Sequence, residues 1–220
     1  MIIGARTGAW AKFGPTAKDY VQDGLVAMWD GIENAGWGVH DANTTAWKDL
    51  IGKADFTRQG TFGDDHLYTT GFTQTITVHV QTLEILFSAY SHSANRGWIC
   101  DGGIFGKVSA GPSFSGIAGV DDVVPLSDFR RFGGNVYSNT IYLMSCRVDG
   151  SVVCIARDGN DVDAIRIGTS VGLKTEIFNG YRGTRASHGR MYCVRAYDRS
   201  LTPVEISANY AIDKARFNLP

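Results

Sequence analysis

The sequence predicts an all-β protein, an antiparallel β-sandwich finished by one short C-terminal helix. Three observations carry this. Among 220 residues, 27 are Gly, and the 22 acidic residues divide into 18 Asp and four Glu (Glu33, Glu84, Glu176, Glu205). Asp and Gly favour turns and Glu favours helix, so the balance points to strands joined by tight turns. Three consecutive apolar segments between 140 and 168 are separated by Asp/Gly turns, the mark of an antiparallel meander. A capped helical pattern stands only at the chain's end.

Taken in order, residues 1–22 have neither strand nor helix period and read as an N-terminal arm; the sandwich runs from 23 to 220. "DGLVAMWDG" (23–31) alternates in part and reads as a buried strand with Trp29 in the core. "IENAGWGVHDANTTAWKDL" is loop chemistry ending near a second tryptophan, Trp47, and "KADFTRQGTFGDDHLYTTG" reads as short strands broken by turns. In "TQTITVHVQTLEILF", Ile76, Val78 and Val80 fall on one face and Thr75, Thr77, His79 and Gln81 on the other, the period-2 pattern of a half-buried strand. The meander predicts strands at 140–148, 151–157 and 162–168, turning at Asp149-Gly150 and at "DGND" (158–161). A last strand, 189–198, leads to the helix. Thr202 suits N-cap, Pro203 N1 and Glu205 N3, a capping box with Pro where its missing N–H is harmless. Ile206, Tyr210 and Phe217 share one face, with Glu205, Asn209 and Lys214 assigned to solvent. About three turns are marginal alone, so the helix is expected to lie on the sheet edge or on an adjoining subunit.

Composition excludes several classes. The net charge is −1 with acids and bases intermixed, so no basic stripe points to nucleic acid. No apolar run approaches the roughly 18–20 residues that span a bilayer, and the first residues lack the pattern of a secretory signal. Cys100, Cys146, Cys154 and Cys193 have spacings that miss the common zinc patterns. A hairpin turning at Asp149-Gly150 pairs Cys146 with Val153 and Ser145 with Cys154, aiming the two thiols to opposite faces. Buried reduced thiols, suited to a reducing cytosol, are the expectation.

"GLVAMW" (24–29) and "YCVRAYDRSLT" (192–202), the latter followed by an acidic-capped helix, resemble the opening and closing strands of concanavalin A-like, laminin G-like jelly rolls. The resemblance spans about nine-tenths of the chain and implies that the first and last strands share one sandwich, with the helix sealing its end. "MWDGIENAGWGVHDANTTAWKDL" and "NYAIDKARF" look like domains in structural proteins of tailed bacteriophages of gut bacteria. That likeness implies a virion protein assembled in the host cytoplasm, with other virion proteins or copies of itself as partners.

Catalytic constellations are missing from the sequence. Glucanases, relatives implied by the fold, set two Glu and an Asp at alternate positions of one strand so that all face one cleft; here the four Glu are far apart. "GPSFSG" lacks the strand-to-helix setting of a nucleophile elbow, and no phosphate loop or paired-His metal spacing occurs. No enzyme activity and no cofactor are expected. Calcium is not supported: in "DGNDVD" the fifth EF-hand position is Val162 and no Glu follows at the twelfth.

Two sets of residues remain. Trp37, Trp98 and Tyr137 sit in Gly/Asn-rich loops, where they serve either as flat platforms for a glycan or as plugs for the sandwich ends. Ile2, Ile3, Trp10 and Phe13 give the arm an apolar surface that either anchors it to another subunit or folds back on its own sheet. The expected function is a non-enzymatic virion subunit (head decoration, fibre or tail-associated) that displays the jelly roll. The alternative is a carbohydrate-binding module adhering to host surface polysaccharide.

Overall fold

The computed structural model describes residues 14–52, 54–58, 60–69, 76–89, 100–101, 105–106, 115–116, 140–149, 152–166, 173–177 and 189–220. Its strands are β1 (Leu25–Asp30), β2 (Ala46–Trp47), β3 (Phe56–Thr57), β4 (Thr61–Phe62), β5 (Leu67–Thr69), β6 (Ile76–Val80), β7 (Thr82–Ala89), β8 (Cys100–Asp101), β9 (Phe105–Gly106), β10 (Ser115–Gly116), β11 (Ile141–Asp149), β12 (Val152–Arg157), β13 (Asn160–Arg166), β14 (Leu173–Ile177) and β15 (Gly189–Tyr197). Helix α1 (Pro203–Arg216) comes last. All registered strand pairs are antiparallel, so the predicted fold class holds. An eight-stranded sheet runs β13-β12-β11-β7-β15-β5-β4, with β1 also paired to β15; β6-β14-β8 form a smaller sheet. First and last long strands thus lie side by side, as expected.

Alternation in the large sheet sends Leu83, Ile85, Phe87, Tyr142, Met144, Cys146, Val194 and Ala196 to its inner face. There they pack with Trp29, Trp47, Phe56, Phe62 and with Val80 of β6. The outer face carries Met28, Leu86, Leu143 and Cys193 and is covered by Ala17, Tyr20 and Phe217. Tyr192 is the extra residue of a bulge in β15, between Met191↔Phe87 and Cys193↔Leu86. The bulge puts Tyr192 and Cys193, successive in sequence, in the same outer cluster, where Tyr192 meets the Phe217 ring edge-on at 5.7 Å.

Several local expectations shift. The meander register is Asp149↔Val152 and Cys146↔Ile155, two residues from the one predicted. A slip of two preserves the faces: Cys146 is fully buried and Cys154, paired with Arg147, is half-buried on the other side. The second turn is two residues rather than four, Asp158-Gly159, with φ of 51° and 81° as a type I′ turn requires. Glu176 lies in β14 opposite Thr77, in a segment where no strand was predicted. At the end of the 1–22 arm, Ala17 and Tyr20 are buried, 0% and 2% exposed, in the outer cluster.

Helix α1 has 14 residues, about four turns, and lies across the outer face of the large sheet rather than on its edge. Its cap is as predicted: Thr202 Oγ1 accepts from Glu205 N, and a Glu205 oxygen accepts from Thr202 N at 2.8 Å. Arg199 grips the same carboxylate with both Nη atoms, at 3.0 and 2.6 Å. Those bonds from Arg199, with the cap, hold the Glu205 carboxyl down at about 2. A depressed carboxyl adds stability above its unfolded value near 4.5, and that stability disappears as pH falls toward 2. Glu205→Gln should therefore flatten the acid limb of stability over that window. The pair is partly exposed and screened, so the difference should be only about 1 kcal/mol, read from urea titrations at pH 5 and pH 2.5; identical acid limbs would mean the pair is not the source.

Candidate functional site

Asn209, assigned to solvent from its polarity, is 0% exposed, as is Asp213. The buried stripe of α1 is Ile206, Asn209 and Asp213, continued by the C-cap Phe217, because polar partners wait on the sheet below. Arg195 of β15 donates to both oxygens of Asp213 at 2.7 and 2.8 Å and, through Nε, to Glu84 of β7 at 2.8 Å. Glu84 also accepts from Asn209 Nδ2 at 2.8 Å and from the Ser145 hydroxyl at 3.1 Å. The Tyr20 hydroxyl donates to Asp213 at 2.7 Å, and its ring lies 4.2 Å from the Arg195 guanidinium carbon. Burial pushes the Glu84 carboxyl up while Arg195 opposes it. Glu84, isolated in the sequence, is thus the centre of a closed network that fastens helix to sheet.

A second branch leads to the surface. Arg216, near the end of α1, donates to Asp30 at 2.8 Å and to Glu33 at 3.1 Å. Burial raises the Asp30 carboxyl, and the Arg216 charge works against that rise. Glu33 spends its other bonds on backbone: Oε1 accepts from Ala17 N at 3.1 Å and Oε2 from Gly38 N at 2.7 Å. Gly36 N donates back to Glu33 O, Val39 N to Gly36 O, and Ala35 N to Val39 O. The buried Asn34 side chain closes the loop by bonding both N and O of Asp41. Gly36 (φ 133°) and Gly38 (φ 69°) take backbone conformations that side chains oppose, which explains their places on either side of Trp37.

At the tip of this fixed loop Trp37 is half-buried. It packs against the outer cluster and carries the Lys18 ammonium 5.4 Å above its ring. Val39 (50% exposed) and His40 flank it at the surface. Lys18 rises from a 3-10 turn, Ala17–Asp19, whose capping box occupies Thr16 and Asp19 with each other. Of the three predicted platforms, Trp37 is therefore present and partly open, in between the platform and plug expectations. Trp98 and Tyr137 lie outside the described residues, as do the anchor candidates Ile2, Ile3, Trp10 and Phe13. Lys18 was not singled out from sequence. An open groove of about 560 Å³ between α1 and the Asp158-Gly159 turn has no aromatic lining.

Two acids of the "DGNDVD" segment are engaged in holding the sheet. Asp158 accepts from Leu143 N at 3.0 Å, and Asp161 is held by both Nη atoms of Arg147 at 2.5 and 2.7 Å. Among the described residues no group of three or more His, Cys, Asp or Glu is placed to hold a metal ion, and no helix is long and apolar enough to cross a membrane.

The fold therefore defines the chain as a jelly-roll β-sandwich with a helix latched over its outer sheet. No family model and no curated protein matches it. Among solved structures it is similar to Trypanosoma rangeli sialidase in complex with the inhibitor DANA, with TM-score 0.62 and 13% identity over 86% of this chain. A mutant of that sialidase displaying trans-sialidase activity matches with TM-score 0.62 and 14% identity over 87% of this chain. The chain spans about a third of those proteins, 33% in both cases. The CBM40 domain of Ruminococcus gnavus IT-sialidase overlays more loosely, TM-score 0.43 and 10% identity over 60% of this chain and 82% of that one.

Proposed function

We propose that this chain is a non-enzymatic carbohydrate-binding module whose contact surface is the Trp37 loop. The observation that carries the reading is Trp37 itself: a partly open indole at the tip of a loop set by the buried Glu33 and Asn34. Sugars present C–H faces that stack on aromatic rings, and a rigid ring loses little freedom on binding. The buried acids support a non-enzymatic role, because Glu84, Asp213, Asp30 and Glu33 are all bonded to Arg195 or Arg216 and serve to hold the frame.

The test is a glycan array probed with wild type and Trp37→Ala. Wild type should give a sugar-dependent signal, and the variant should lose about tenfold or more in affinity, the worth of roughly 1.4 kcal/mol of stacking. Equal signals, or no sugar-dependent signal at all, would sink the reading.

A virion setting is the second reading, and it rests on the sequence likeness. The two stretches that resemble phage structural proteins meet in space, since Arg216 of "NYAIDKARF" bonds Asp30 and Glu33 of "MWDGIENAGWGVHDANTTAWKDL". The likeness thus falls on one connected structural unit. Mass spectrometry of purified particles either finds this chain or removes that setting.

A further inference from the structure

Lys18 occupies the place where a ligand would meet Trp37. Its ammonium stands over the ring, and among the described residues it pairs with no carboxylate. Lys48 pairs with Asp55, and Arg199 with Asp23 and Glu205; Lys214, over the Tyr210 ring at 5.9 Å, is the other ring-covering lysine without a carboxylate among the described residues, but it lies on α1 away from the Trp37 loop. The acids in its own turn and in the Trp37 loop are engaged. Asp19 accepts from Thr16 N and Oγ1 at 2.5 and 2.9 Å, and Glu33 is bonded to Arg216 and two backbone amides. Asp41, exposed further along the loop, accepts from Asn43 N.

From this juxtaposition we infer that the Trp37 site selects sugars bearing a carboxylate, with Lys18 as the group that reads the charge. The inference rests on the glycan-binding reading above and names its ligand class. A sugar can stack on the ring only if the ammonium swings aside, which forfeits a cation–π contact worth about two- to fivefold in affinity at an exposed site. A neutral sugar offers nothing in exchange. A carboxylate placed beside the ring takes the displaced ammonium as a charge-assisted hydrogen-bond partner, so the lysine changes from cover to clamp. The backbone under Lys18 is fixed by the Thr16–Asp19 capping box, while its long side chain has room to move because it is exposed.

Calorimetric titration of the whole chain with three matched trisaccharides tests this: one ending in a neutral hexose, one in the corresponding hexuronate, one in a sialate. Wild type should bind at least one of the acidic probes about tenfold or more tighter than the neutral one, and the preference should shrink from 50 to 500 mM salt. Whether hexuronate or sialate is favoured distinguishes the two sources of carboxylate. Lys18→Gln should abolish the preference and strengthen neutral binding about two- to fivefold, because the cover is gone. Lys18 is exposed, so the variant should fold normally, which a thermal melt verifies. Equal wild-type affinity for acidic and neutral probes, or an acidic preference that survives in Lys18→Gln, overturns this inference and leaves glycan binding standing. Failure of wild type to bind any probe, on the array or by calorimetry, overturns both.

Discussion

Replacing Arg195 with Met is expected to cost about 3–5 kcal/mol, because it leaves two buried carboxylates without their cation. The guanidinium is 1% exposed and stands between Glu84 and Asp213, both 0% exposed. Met fills similar volume, so the loss measures the charges left behind rather than a cavity. A pH dependence separates these causes. In the wild type, burial already raises Glu84 and Arg195 opposes that rise; without the cation the carboxyl climbs further. A carboxyl raised in the folded state penalises folding above its folded value, and the penalty is relieved as pH falls through that value. The deficit of Arg195→Met against wild type should therefore shrink between pH 7 and pH 5 in urea titrations. Adding Glu84→Gln should restore part of the loss, since the Gln carbonyl still accepts from Ser145 or Asn209. A deficit under 1 kcal/mol, or one that does not change with pH, would show that Arg195 does not hold the buried charges.

The network also marks where sequence reading reached its limit. "YCVRAYDRSLT" was legible as a motif, and five of its positions have a clear physical task in the structure. Tyr192 fills the bulge, Arg195 bridges two buried acids, Tyr197 accepts from Asn209, Arg199 grips Glu205, and Thr202 caps the helix. The capping box could be read because its partners are three residues apart. Glu84 could not, because Arg195 and Asn209 lie 111 and 125 residues further along the chain. Without those partners a polar residue on a helix is assigned to water, and Asn209 was. The meander slipped by two because Asp-Gly is a strong turn signal wherever it occurs; alternation fixes faces and leaves a two-residue shift unopposed. At the candidate site, the Gly/Asn-rich loop around Trp37 signalled an aromatic serving as platform or plug. Lys18 gave no signal, since nothing in a short polar stretch says which ring it will cover.

Trp47→Ala is the second large effect, expected at about 3–5 kcal/mol. The indole is 0% exposed, meets Phe62 edge-on at 6.0 Å, and donates from Nε1 to the Asp30 carbonyl at 2.9 Å. Truncation thus opens a cavity in the inner core and leaves a buried acceptor without its donor. Trp47→Phe keeps most of the apolar volume and loses the N–H, so it should cost about 1–3 kcal/mol; the gap between the variants is the cavity's share. The damage should also reach the surface. Asp30 is the residue that Arg216 holds, and the neighbouring Lys48 N donates to Asn34 O, inside the loop that presents Trp37. Hydrogen exchange at the amides of Gly38, Val39 and Asp41 should therefore accelerate in Trp47→Ala beyond what the global loss accounts for. Amides of β7 and β11 should track the global loss alone. If all of them accelerate equally, the Trp37 loop draws its rigidity from elsewhere, and the inner core is not coupled to the binding surface.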